Sequence, residues 1–197
     1  MAARIVVLAS GSGTNLQAII DACSNGSLAA EVVAVVSDQP EAYALERART
    51  HHITAIGLPR HEGEPRAEYD VRLRAVVAQH MPDWIVLAGF MRLLSAVFLD
   101  HFAGHVVNLH PALPGDLPGA HAIERAFAQH LIGLRTESGV MVHLVPDEGV
   151  DDGPVLATAT IPFETDDTLE SFASRVHAAE HRLLVDTLIT LTKETAR

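Results

Sequence analysis

The run Ile5-Val6-Val7-Leu8-Ala9 carries no polar residue on either of its alternating faces, and it leads directly into a Ser/Gly-rich turn. A strand of that kind is stable only when both faces are covered, which calls for helices on either side of a largely parallel sheet. The following sequence repeats the demand. Val32–Val36 and Trp84–Ala88 are apolar runs of the same type, and Ile53–Leu58 is a shorter one. Helical periodicity between them predicts helices over Asn15–Asn25, with Gly26 as its C-cap, over Glu41–Thr50, and over Arg66–His80, where Tyr69, Leu73, Val76, Val77 and His80 share a face. His105–Asn108 predicts a further strand and Ala120–His130 a further helix.

Beyond that helix the alternation stops. Val140–Val145 and Pro154–Ile161 both read as strands, with only Pro146–Gly153 between them, so they predict an antiparallel hairpin. A long final helix is expected from about Thr168, with Asp167 and Glu170 at its positively polarised end. Its expected core stripe is Leu169, Phe172, Val176, Ala179 and Leu183. The expected architecture is α/β: a doubly wound, mostly parallel sheet with a late antiparallel hairpin, in one domain over residues 1–197.

Charge and cysteine content narrow the function classes. Lys+Arg number 14 against 25 Asp+Glu, a formal net charge of −11, which argues against a broad footprint for nucleic-acid phosphates or anionic membranes. A small phosphorylated ligand stays open, because local backbone donors can hold it. No apolar run reaches membrane-spanning length, and the short apolar run near the N-terminus reads as a first strand, not a signal peptide. A single cysteine, Cys23, on the helical face of Leu16, Ile19 and Ile20, reads as a buried structural thiol in a reducing compartment, so a cytoplasmic protein is expected.

Candidate chemistry falls where strands end. In Val106-Val107-Asn108-Leu109-His110-Pro111, alternation puts Asn108 and His110 on one face, and Pro111 ends the strand beside them. An amide donor next to an imidazole suits a carbonyl becoming an oxyanion; a polar strand end before a turn is the plain alternative. Ser10-Gly11-Ser12-Gly13-Thr14-Asn15-Leu16-Gln17 opens the first helix, so its backbone can approach an anion. Asp38 ends the second strand where a dinucleotide's ribose would be held, yet Leu16 stands where that fingerprint needs its third glycine, so one phosphate fits better than a pyrophosphate. Gly89 permits an unusual turn, after which Phe90-Met91-Arg92-Leu93-Leu94 can wall a pocket for a flat ring. The acidic tip Pro146-Asp147-Glu148-Gly149-Val150-Asp151-Asp152 can return one carboxylate to His110, raising its pKa. His177-Ala178-Ala179-Glu180-His181 matches the H-x-x-E-H zinc pattern, but little sequence follows to supply a further ligand, and no metal is expected.

Taken in this order and spacing, with Leu45-Glu46-Arg47-Ala48, Pro118-Gly119-Ala120-His121, Val142-His143 and Asp151-Asp152-Gly153-Pro154 added, these stretches resemble the phosphoribosylglycinamide formyltransferases over nearly the whole chain. The resemblance implies the formyltransferase variant of the Rossmann fold and transfer of a formyl group from 10-formyltetrahydrofolate to glycinamide ribonucleotide. It implies that Gly13, Thr14 and Asn15 hold the ribonucleotide phosphate and that His177, Ala178, Ala179 and Glu180 face the same substrate. It implies a folate site from Arg66, Met91, Arg92, Leu93, Leu94, Asn108, Asp147, Glu148, Gly149, Val150 and Asp151. Asn108, protonated His110 and Asp151 would be the catalytic group, with Asn108 and His110 donating to the oxyanion and Asp151 keeping His110 charged. Only small-molecule partners are implied. The chain departs from the family at Ala112-Leu113-Pro114-Gly115 after His110-Pro111, at Gly139-Val140-Met141, where a hydroxyl usually precedes Val-His, and in a longer Gln129–Ser138 stretch. A deformylase of the same chemistry would carry a further domain before this one, and a methionyl-tRNA formyltransferase one after it. A dinucleotide oxidoreductase and a non-catalytic phosphoribosyl-binding module are the rivals of other classes.

Overall fold

A computed structural model describes residues 2–195; Met1, Ala196 and Arg197, part of the expected domain, lie outside the described residues. The elements run β1 (Ala3–Leu8), α1 (Thr14–Ser24), β2 (Ala30–Ser37), α2 (Tyr43–Thr50), β3 (Thr54–Gly57), α3 (Arg66–Ala78), β4 (Trp84–Leu87), α4 (Ala96–Leu99), β5 (Val106–His110), α5 (Ala122–Leu131), β6 (Glu137–Leu144), β7 (Val155–Pro162) and α6 (Leu169–Thr195). They form a seven-stranded sheet in the order β3-β2-β1-β4-β5-β6-β7. β1 to β5 pair in parallel, and β6 and β7 pair antiparallel, as the hairpin reading requires.

The doubly apolar strands divide the core in two. Ile5, Val7, Trp84 and Val86 enter one layer with residues of α1, α5 and α6; Val6, Leu8, Ile85 and Leu87 enter the other with α3 and α4. The order reverses direction at β1, with β2 on one side and β4 on the other. Loops leaving β1 and β4 therefore part to opposite faces, which opens the crevice where α/β sheets bind ligands.

Helix α6 starts with a reciprocal cap. The Ser171 N–H donates to Thr168 Oγ1 at 3.1 Å, and the Thr168 N–H donates to Ser171 Oγ at 3.0 Å. Arg175, two turns in, donates twice to Asp167, at 2.6 Å each, and holds that carboxyl well below the usual range. The core stripe differs from expectation at its start and continues beyond its expected end, where Leu183 is half-buried against the core. Leu169 is 40% exposed because it lies in the first turn, beyond the sheet, and the buried line runs through Phe172, Val176, Ala179, Leu184, Leu188 and Leu191. Helix α4 is an unexpected element: Ser95 O receives N–H bonds from Phe98 and Leu99, in a stretch too short for periodicity to show. Cys23 is half-buried against the core, and burial pushes its thiol up to about 11, so the structural reading of this residue stands. No helix among the described residues is long and apolar enough to cross a membrane.

Candidate active site

A cavity of about 690 Å³ opens at the carboxyl ends of β1, β4 and β5, within the size range of small-molecule sites. One wall is the loop between β1 and α1. Gly13 precedes the helix at φ +71°, and a Cβ there would lie 2.8 Å from the Cα of Ala44, so only glycine lets α2 pack this close. Gln17 donates the first helical bond, to Gly13 O, so the amides of Thr14, Asn15 and Leu16 come before the ladder. Behind the loop, Arg47 Nε donates to Ser12 O at 2.8 Å and Nη1 to Gln17 Oε1 at 3.1 Å, bringing positive charge to the same turn.

The second wall is residues 89–95. Gly89 takes φ +75° as the chain leaves β4. The Met91 N–H is held by Ser10 Oγ at 2.9 Å, and the Ser95 N–H by the buried Asp70 Oδ2 at 2.6 Å. Burial pushes the Asp70 carboxyl up. Asp38 is not free for a ribose: Ser10 Oγ donates to Oδ1 at 2.5 Å, and Arg92 Nε donates to Oδ2 at 2.8 Å. Met91, Arg92, Leu93 and Leu94 all line the cavity. Across from them, Asp147, Glu148, Gly149, Val150 and Asp151 line it from the hairpin tip. Arg66 does not line the cavity; its guanidinium is paired with Glu148, whose other oxygen accepts the Ala96 N–H at 2.9 Å.

Between the walls lies the polar end of β5. Asn108 and His110 continue the face of Val106, and the antiparallel register sets His143 opposite Asn108 and Met141 opposite His110. Asp151 reaches back from the hairpin tip into this group. Asn108 Nδ2 donates to Asp151 Oδ1 at 2.9 Å and meets His143 Nε2 at 3.1 Å; a flipped amide would set two oxygens together. The His143 Nδ1–H donates to Leu144 O at 2.9 Å, which leaves Nε2 as the acceptor for Asn108. The Gly119 N–H donates to Asp151 Oδ2 at 2.8 Å, and His110 Nδ1 stands 3.3 Å from the same oxygen. On its far side the His110 Nε2–H donates to Leu117 O at 3.0 Å. Leu117 and Asp151, the residues that hold this imidazole, are both left-handed non-glycines, with φ +44° and +54°. Such strain costs on the order of 1 kcal/mol or more per residue and clusters at functional sites.

Burial pushes His110 below its ordinary pKa, and the Asp151 charge offsets only part of that, so the resting imidazole is neutral near pH 7. Burial raises the Asp151 carboxyl, but the Gly119 N–H holds it below the usual carboxylate range. Asn108, expected to donate to an oxyanion, already directs both amide hydrogens to neighbours.

Helix α6 closes the cavity beside the β1–α1 loop. Glu180 is buried at 5% exposure and accepts from His177 Nδ1 at 2.8 Å, a bond that raises the histidine's pKa. Asn15 Nδ2 lies 3.5 Å from the same carboxylate, at the limit of a hydrogen bond. His177 and Glu180 line the cavity, but Ala178 is exposed outside it and Ala179 is turned into the core. Among the described residues no group of three or more His, Cys, Asp or Glu is placed to hold a metal.

The sequence matches the formyl transferase family model over residues 3–188. This chain belongs to the formyl transferase family. Among relatives of this formyltransferase, the phosphoribosylglycinamide formyltransferase of Dictyostelium discoideum is 42% identical, with 95% of this chain and 97% of the relative covered. The Escherichia coli (strain K12) protein of that name is 41% identical over 91% of this chain and 82% of its own. The crystal structure of the Bacillus halodurans phosphoribosylglycinamide formyltransferase superposes with a TM-score of 0.90 at 37% identity, covering 95% of this chain and 94% of that one.

The departures from the family pattern now have places. Met141, where a hydroxyl was expected, is 1% exposed and lies on the face of Asn108, His110 and His143, so an apolar thioether borders the imidazole and adds to its desolvation. Gly139 has Leu113 and Ala159 O packed where a side chain would start, which ties the altered loop after Pro111 to the altered strand. His143, absent from the expected site, is an added acceptor beside Leu117 O; the paired Val142-His143 was visible, but its register against Asn108 was not.

Proposed function

We propose that this formyltransferase moves the formyl group of 10-formyltetrahydrofolate to the primary amine of glycinamide ribonucleotide, a step of purine biosynthesis. The observation that carries the reading is the placement of Asn108, His110 and Asp151 in one cavity between an anion-type backbone loop and an apolar-walled loop. Gly13, Thr14 and Asn15 hold the phosphate, with Glu180 and His177 toward the ribose. Residues 91–94 and 147–151, with Asn108, hold the folate. The amine lone pair attacks the formyl carbon, the carbonyl pair moves to oxygen, and the new C–N bond leaves a proton to be removed. Because Nε2–H is bonded to Leu117 O, the open position on His110 is Nδ1. Uptake there converts the 3.3 Å approach to Asp151 into a charge-assisted hydrogen bond. The pair on oxygen then re-forms the carbonyl, the bond from the formyl carbon to the folate nitrogen breaks, and the imidazolium gives its proton to that nitrogen. The base role thus precedes the acid role. No metal has a part in these steps. The whole of residues 1–197 acts as one catalytic domain on small molecules, in the cytoplasm by its single thiol.

The test is an assay of 10-formyltetrahydrofolate consumption with and without glycinamide ribonucleotide. Consumption is expected only with the ribonucleotide, matched by formylated product; equal formate release without it would assign a deformylase instead.

A further inference from the structure

The Ser10–Asp38–Arg92 cluster connects the two walls of the cavity, and neither Ser10 nor Asp38 has a part in the chemistry above. Ser10 is the first residue after the β1 end and begins the loop that leads to Gly13. Its N–H donates to Gly89 O at 3.0 Å, and its hydroxyl both accepts the Met91 N–H at 2.9 Å and donates to Asp38 Oδ1 at 2.5 Å. Asp38 is 4% exposed and its other oxygen receives Arg92 Nε at 2.8 Å and Gln39 Nε2 at 3.1 Å. Arg92 also lies over the Tyr69 ring, 5.1 Å from its centroid, so its orientation is fixed from below. One hydroxyl and one buried carboxylate therefore join the loop assigned to the phosphate to the loop assigned to the folate.

We infer that Ser10 and Asp38 are positioning residues that couple the two substrate sites, so that each substrate binds more tightly when the other is present. A phosphate drawn to the amides of residues 13–15 orders the turn that begins at Ser10. Ordering Ser10 fixes the Met91 amide and, through Asp38, the Arg92 side chain, so part of the cost of arranging the second wall is met before the folate arrives. Linkage makes the effect reciprocal: one factor describes both directions. This inference rests on the two-ligand reading of the cavity.

The measurement is calorimetric titration of the full chain with a folate analogue lacking the transferable formyl group, in the absence and in the presence of saturating glycinamide ribonucleotide. The ratio of the two dissociation constants is expected to be about five- to tenfold. Ser10→Ala is expected to bring it close to one, and Ser10→Thr, which keeps the hydroxyl, to restore it; Asp38→Asn, measured alongside, is expected to lower it and serves if Ser10→Ala does not fold. A ratio of one in the unsubstituted chain overturns the inference, as does an unchanged ratio in Ser10→Ala or in Asp38→Asn. If neither ligand binds the unsubstituted chain, the functional reading fails and takes this inference with it.

Discussion

His110 is set between two acceptors, the Leu117 carbonyl and the Asp151 carboxylate, yet only the charged imidazole can satisfy both at once. Burial opposes that charge and prevails at rest. Asp151→Asn removes the nearby anion, so the His110 pKa is expected to fall further, as an NMR titration of the ring would show. Formyl transfer is expected to drop by about two or more orders of magnitude in the same variant; near-normal turnover would remove Asp151 from the catalytic group. Much of this centre was legible from spacing, because alternation alone puts Asn108 and His110 on one face and Pro111 ends the strand at His110. What spacing could not supply was register. His143 meets Asn108 only because β6 runs antiparallel to β5 with that particular alignment. The partner of Asp38 was hidden for a related reason: Leu16 already argued against a ribose there, but only the fold brings Arg92, far along the chain, onto it.

Among the elements, α1 and α2 show how little freedom the anion loop has. Gly11 has open space where a side chain would be, but at Gly13 both the +71° torsion and the Ala44 backbone exclude one. Gly13→Ala is expected to cost about 1–3 kcal/mol from the torsion alone. The displaced helix start is also expected to raise KM for the ribonucleotide at least tenfold while the affinity for folate changes less. Urea unfolding and steady-state kinetics check the two parts; full stability with unchanged KM would show that the loop tolerates a side chain. The apolar strands and the hairpin were readable because a doubly buried parallel strand has few other sequences. Helix α4 was not: four residues hold no period, and its start is set by Asp70 and Glu148, which belong to other elements.

For the molecule as a whole, pH acts through groups moved in opposite directions. His110 and His181 lie below their ordinary value, chiefly through burial, so their contribution to stability is complete above the unfolded histidine pKa and is lost as pH falls through their folded values. His177 is raised by Glu180, so its contribution is present at lower pH and is lost as pH rises through its folded value. The lowered carboxyls of Asp116, Asp151 and Asp167 add stability above the ordinary carboxylate pKa that disappears below it. Urea midpoints are expected to decline modestly from pH 7 to 5.5 and steeply below pH 4.5, about where carboxylates begin to protonate; a midpoint that rises on acidification would contradict these assignments.

The mouth of the cavity closes differently from its floor. The floor is held by buried carboxylates, but the hairpin tip that carries Asp151 meets α3 through Arg66 and Glu148, whose side chains are 41% and 43% exposed. Such a pair contributes about 0–1 kcal/mol and is screened by salt over a Debye length of about 8 Å in physiological conditions. Dissolved ions are therefore expected to loosen the rim more than the interior, so that raising the ionic strength changes the rate of ligand entry more than the rate of release from the floor.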